Sequence, residues 1–186
     1  YKRQAQLFDY YGVPSFGSGG CTDSKCPDAQ AGAEAMGTAV MNALGGINLI
    51  HNCGTMAHGT VGSMEMAVIS DEIARYVDRL LKGVQVTDET LAVDIVRKVG
   101  PGGHFMSQAH TRESLKRGEM WLSQLFNRRS GTEWKAAGGR DLRDVAREEA
   151  KKILKEHFPR PLSDDIKNKL TEILKQSEKE LLEKSP

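Results

Sequence analysis

Two short apolar runs, Val13–Phe16 and Ile47–Ile50, each give way to a glycine-studded polar loop and then to a helix-like segment. Strand, loop, helix, repeated, is the rhythm of a parallel α/β fold, because a crossover helix is what returns a chain to start a neighbouring parallel strand. In such folds ligands sit beyond the carboxyl ends of the strands. The loops at those ends, Gly17–Asp28 and His51–Ser63, are rich in Cys, Asp, Lys, His and Asn. Chemistry is expected in these two loops.

The rest of the chain reads as helices. Residues 29–44 follow Pro27 and the capping carboxylate of Asp28, and Gly45–Gly46 stops them. The small residues Ala29, Gly32, Ala33, Ala39 and Ala43 predict close packing on a sheet or helix. A second helix, 64–82, starts at Ser63 and carries the stripe Val68, Ile69, Ile73, Val77, Leu80 and Leu81. Thr87 caps a third, 88–99, which Gly100–Pro101–Gly102–Gly103 breaks. A short helix over 111–118 follows, then a mixed stretch with both tryptophans, then long charged helices over about 140–157 and 163–184.

With 186 residues the chain can bury a core. A net charge of +1 gives none of the surplus that nucleic acid or a membrane surface attracts. No apolar stretch nears the ~20 residues that span a bilayer. The opening YKRQAQLFDYYG is too polar for a signal peptide. It reads as the inside of a helix, with Gln4, Leu7, Phe8 and Tyr11 on one face, which suggests a piece of a longer protein. Three cysteines, Cys21, Cys26 and Cys53, fit free thiols in a cytosolic protein better than a disulfide scaffold.

Within the loops, Gly17, Ser18, Gly19 and Gly20 let backbone N–H groups approach an anion near a helix start. The loop lacks a P-loop ending and a GxGxxG opening. His51 directly follows a strand, beside Asn52, where an imidazole donates a hydrogen bond or moves a proton into a barrel mouth. Asp23, Lys25 and Asp28 form an acid–base cluster whose bland reading is structural pairing. Glu65, in a first helical turn, is explained by the helix dipole. His104 and His110 flank a glycine-rich break and suit a structural or lid role. Cys21, Cys26, His51 and Cys53 are types that zinc accepts, but their spacing matches no metal motif.

The runs Gly17–Gly32, Gly45–Gly54, Ser63–Glu72 and Glu89–Thr111 resemble the C-terminal part of the trimethylamine methyltransferase family, and the resemblance covers at least residues 12–135. It implies an α/β fold: the C-terminal part of a TIM (β/α)8 barrel with appended C-terminal helices. Barrel units would occupy 1–135 and a helical extension 136–186. A complete barrel needs about 250 residues, so six more βα units would lie upstream. The family moves a methyl group from a methylated amine to the cobalt of a corrinoid (cobalamin) carried by a separate protein, in the cytoplasm. The expected partners are that corrinoid protein, a small methylated amine and further copies of the same chain, with no nucleic acid and no membrane. Archaeal trimethylamine members use pyrrolysine, and the standard residues here favour a member without it, acting on a betaine-like quaternary amine. On that reading the substrate-binding residues are His51, Asn52, Gly17, Ser18, Gly19, Gly20, Asp23 and His104. The cysteines carry no family role.

Two other readings compete: a TIM-barrel methyltransferase with a Cys/His zinc site, and a non-catalytic docking element built on the charged helices.

Overall fold

The structure is a computed structural model that describes residues 2–183. Residues 1–151 and 152–186 are separate compact units.

The first unit opens with α1 (Lys2–Tyr10), β1 (Phe16–Ser18), α2 (Ala29–Leu44) and β2 (Leu49–His51). β1 and β2 pair in parallel, with Phe16 opposite Leu49, Gly17 opposite Ile50 and Ser18 opposite His51. The α/β class and the parallel crossover thus match expectation. β1 begins three residues, and β2 two residues, after the start of its apolar run. Pro14 has no N–H to give a ladder. Ahead of the strands, the Ser15 N–H and hydroxyl both donate to Asn48 Oδ1, and the Asn48 N–H donates back to Ser15 Oγ. Side chains there do the work of a ladder.

After β2 comes a hairpin not read from sequence: β3 (Thr55–Met56), a 3-10 turn (Ala57–Gly59) and β4 (Val61–Gly62), paired antiparallel. α3 (Met64–Leu81) follows, capped by Ser63, whose hydroxyl accepts from the Met66 N–H. Then come α4 (Asp88–Leu91) and α5 (Val93–Val99). The single helix expected over 88–99 is broken at Ala92, which sits at φ +48°. No apolar neighbour covers Leu91, Val93 or Val96 enough to bury them, so packing does not hold a continuous rod. α6 (Ala109–Lys116), α7 (Gly131–Ala136) and α8 (Leu142–Glu156) complete the helices that begin in this unit.

The core joins α2 to α3. From α2 it takes Ala31, Ala35 and Ala39, four residues apart on one face. From α3 it takes Met66, Ile69, Ile73 and Val77, and Met56 and Ala146 close it. The alanines bring the helix axes close. Ala33, expected in that contact, is exposed, as are Leu80 and Leu81. Both helices start at the carboxyl ends of their strands, so this packing fixes the two loops side by side.

The second unit holds the end of α8, a stretch with Pro159 and Pro161, and α9 (Asp164–Glu183). The stripe Ile166, Leu170, Ile173, Leu174, Leu181 and Leu182 is exposed throughout. No helix of the described residues is long and apolar enough to cross a membrane.

Candidate functional site

The parallel register sets the site. Immediately past the paired strands, the Gly19 N–H donates to the His51 carbonyl at 2.9 Å. A side chain at Gly19 would place its Cβ 2.7 Å from Ile50 Cγ2 and 3.2 Å from Ala39 Cα, so only glycine permits this contact. Farther out, the Gly54 N–H reaches the Gly20 carbonyl, Thr22 N–H the Thr55 carbonyl, and Ala57 N–H the Ser24 carbonyl. Buried Ser70 of α3 donates to the Gly20 carbonyl at 2.7 Å and accepts from the Gly54 N–H. The two glycine-rich loops are therefore stitched along their length.

Three side chains converge at the junction. The His51 ring stacks on Phe16, centroids 3.8 Å apart and planes 8° from parallel. Ser18 Oγ lies 3.4 Å from His51 Nε2, and Asn52 Nδ2 donates to Ser18 Oγ at 3.0 Å. Asn52 holds a left-handed backbone, φ +71°, which aims its amide back at Ser18. Phe16 remains 60 % exposed, so an aromatic surface borders the polar cluster.

At the outer rim Asp23 Oδ1 meets His58 Nδ1 at 3.0 Å across the loops, with both side chains mostly exposed. Ala57 and His58 both have positive φ, a strained pair at the hairpin tip. Asp23 is held from behind: its N–H and the Thr22 hydroxyl both donate to Glu34 Oε2 at 2.7 Å. The Thr22 hydroxyl, with Gln30 and the Asp23 N–H, holds the Glu34 carboxyl below its usual range. Lys25 Nζ donates to the Asp23 carbonyl rather than to a carboxylate. Asp28 caps α2 by accepting from the Ala31 N–H at 2.9 Å, which lowers its pKa, helped by Ser24 and Cys26.

Of the residues singled out in sequence, Gly17, Ser18, Gly19, Gly20, Asp23, His51 and Asn52 share this edge. His104 lies exposed after α5, and among the described residues no hydrogen bond, ion pair or ring contact ties it to the loops. His110 Nε2 contacts the Glu89 carbonyl at 2.8 Å, a structural tie. Glu65 does more than meet the helix dipole: Arg147 Nε donates to it at 2.9 Å from 82 residues away. Its pKa falls to about 2, through its own backbone N–H first, then Arg147 and Ser63. Among the described residues no three His, Cys, Asp or Glu side chains gather as a metal would require. Sequence reading missed Glu34, Ser70 and the Asp23–His58 pair. A polar Ser70 on the buried face of α3 was the one available signal.

A groove of about 840 Å³, between α3 and Leu115–Gln124, contains none of the loop residues. Its guanidinium groups are committed: Arg79 to the carbonyls of Glu119 and Gly83, Arg75 to Asp71 and Gln124.

The sequence model of the family described as trimethylamine methyltransferase (MTTB) matches residues 2–181. The chain belongs to this family. It is 39 % identical over 176 residues to trimethylamine methyltransferase MttB of Desulfitobacterium hafniense (strain DSM 10664 / DCB-2), covering 95 % of this chain and 35 % of that protein. It is 37 % identical over 175 residues to trimethylamine methyltransferase MttB of Methanosarcina barkeri (strain Fusaro / DSM 804), covering 94 % and 35 %. Glycine betaine methyltransferase of Desulfitobacterium hafniense (strain Y51) is 37 % identical over 178 residues, covering 95 % and 37 %. The chain thus spans about a third of the length of these curated relatives, all named as methyltransferases.

Proposed function

We propose that the protein containing this chain moves a methyl group from a betaine-like quaternary amine to the cobalt of a corrinoid held by a separate carrier protein, and that the stitched loops form part of the amine pocket within a TIM barrel. The observation that carries the reading is the Ser18–His51 register, which sets an aromatic surface, Phe16, beside polar donors, Ser18, His51 and Asn52. A methylated ammonium is drawn to an aromatic face, and a substrate carboxylate to hydrogen-bond donors. Relatives named for trimethylamine and for glycine betaine support an amine substrate, and the donor cluster favours one that bears a carboxylate.

One methyl C–N bond breaks, its electron pair stays on nitrogen, and a neutral tertiary amine leaves. The corrinoid is assigned to a separate carrier, as the family resemblance implies. When docked, the corrinoid supplies the electron pair that accepts the methyl group. The task of this chain is to orient the substrate, a contribution of entropy and alignment.

The test is methyl transfer by the full-length protein to cob(I)alamin from a panel of methylated amines. Glycine betaine is expected to give product, and choline, with the same cationic head but no carboxylate, to give far less. His51→Ala is expected to weaken glycine betaine binding by about 1–3 kcal/mol in calorimetry. Failure of every methylated amine would overturn the reading, and unchanged affinity would remove His51 from the pocket.

A further inference from the structure

We infer that Asn42 is a positioning residue for the loop pocket: from the interior it holds the Ser18 carbonyl, and with it the peptide unit from which the first glycine-rich loop departs. The clamp itself stands on geometry, and its use in reading a substrate rests on the pocket proposed above.

Asn42 lies in the last turn of α2 and is fully buried. Its Nδ2 donates to the Ser18 carbonyl at 2.6 Å and to the Thr38 carbonyl at 2.8 Å. Both partners are backbone carbonyls, which only accept, so the donor direction and the amide orientation are both fixed. The amide oxygen then faces Gly17, and it is the one buried side-chain nitrogen or oxygen among the described residues without a partner. Turning the amide over would set that oxygen against two carbonyls and leave the NH2 group facing a Cα. The orientation therefore holds although an acceptor stays empty. A leucine would fill the same space with no empty acceptor. What it could not do is hold the Ser18 carbonyl.

That carbonyl belongs to the Ser18–Gly19 peptide, whose N–H donates to the His51 carbonyl at 2.9 Å. The C=O and N–H of a trans peptide point in opposite directions. β2 therefore grips the unit from one side and Asn42 from the other. The side chains follow from this. A Cβ at Gly17 would collide with Asn42 Oδ1, and one at Gly19 would sit 3.2 Å from Ala39 Cα, one turn earlier on α2. Gly17 and Gly19 thus face α2, and Ser18 between them turns its hydroxyl to the opposite face, where it meets Asn52 and lies beside His51. Asn42 sets, through the backbone, a hydroxyl it never touches.

Release of this peptide would misplace the Ser18 hydroxyl and the loop N–H groups, the donors suited to a substrate carboxylate, while leaving the Phe16 ring for the methylated ammonium. Loss of Asn42 should therefore erode selectivity for a carboxylated amine rather than weaken all ligands alike.

The experiment pairs hydrogen-exchange mass spectrometry with calorimetry on the full-length protein and its Asn42→Leu variant. Peptides spanning Gly17–Thr22 are expected to exchange on the order of tenfold faster in the variant, the protection one hydrogen bond sustains, with α3 peptides unchanged. The preference for glycine betaine over choline should fall by a similar factor. Gly17→Ala approaches from the other side: its methyl displaces the intact Asn42 amide, so it should give the same loop-confined exchange, and it carries the test if Asn42→Leu does not fold. Unchanged loop exchange in a folded variant, or faster exchange spread equally over α3, overturns the clamp. A loosened loop with full preference for glycine betaine overturns the positioning role. Wild-type full-length protein that binds neither ligand, with loop exchange as expected, leaves the clamp standing and sinks the proposed pocket instead.

Discussion

Cys53 sits on the surface, yet its sulfur rests on the first glycine loop, with Sγ 3.6 Å from the Gly19 carbonyl oxygen. Exposure of the residue and burial of its thiol are therefore compatible. Burial pushes the thiol pKa up, and nearby Cys21 adds to the rise. A raised pKa means little thiolate at neutral pH, and thiolate is the reactive form. Alkylation of Cys53 is expected to be slower than that of a peptide cysteine at pH 7.5, with the gap closing as pH climbs above 9. Peptide mapping by mass spectrometry reads this directly, and Cys53 reacting first at neutral pH would contradict it.

Between elements, the N-terminus of α3 is tied to α8 by Glu65 and Arg147. The folded pKa of Glu65, about 2, lies below its ordinary 4.5. The stabilisation from its ionised form is therefore complete above about pH 4.5 and is lost as pH falls toward 2. Thermal melts between pH 5 and pH 2 should show a steeper loss for wild type than for Glu65→Gln. Arg147→Met should fall between them, because the Glu65 backbone N–H and Ser63 still favour the carboxylate. Equal slopes for wild type and Glu65→Gln would remove the pair from the account. Packing sets the larger scale at the same interface. Met66, fully buried between α2 and α3, should cost about 2–5 kcal/mol as Met66→Ala, read by denaturant unfolding.

For the whole molecule, the chain covers only about a third of its relatives' length, and Phe16 of β1 and Leu49 of β2 are open, at 60 % and 58 %. A two-stranded sheet with such faces cannot enclose a small cation. The isolated 186-residue chain is expected to transfer no methyl group in an assay where full-length protein does, and turnover by the chain alone would refute the barrel-rim arrangement proposed above.

The sequence alone determined the local pieces. The α2 bounds and the Ser63 cap could be read because caps, glycines and apolar period act over a few residues, whereas Gly17, Ser18 and His51, expected in the loops, belong to the paired strands. The adjacency of the loops also followed, since two successive βα units with a right-handed crossover place parallel strands side by side. The pairing of specific side chains was decided only by the tertiary structure. Glu65 with Arg147, Ser70 with Gly20 and Gly54, and Asp23 with His58 join residues tens of positions apart, and no short-range pattern encodes such a distance. The Ala92 break belongs here too: local propensity favoured a continuous helix, and too little tertiary burial was present to keep it.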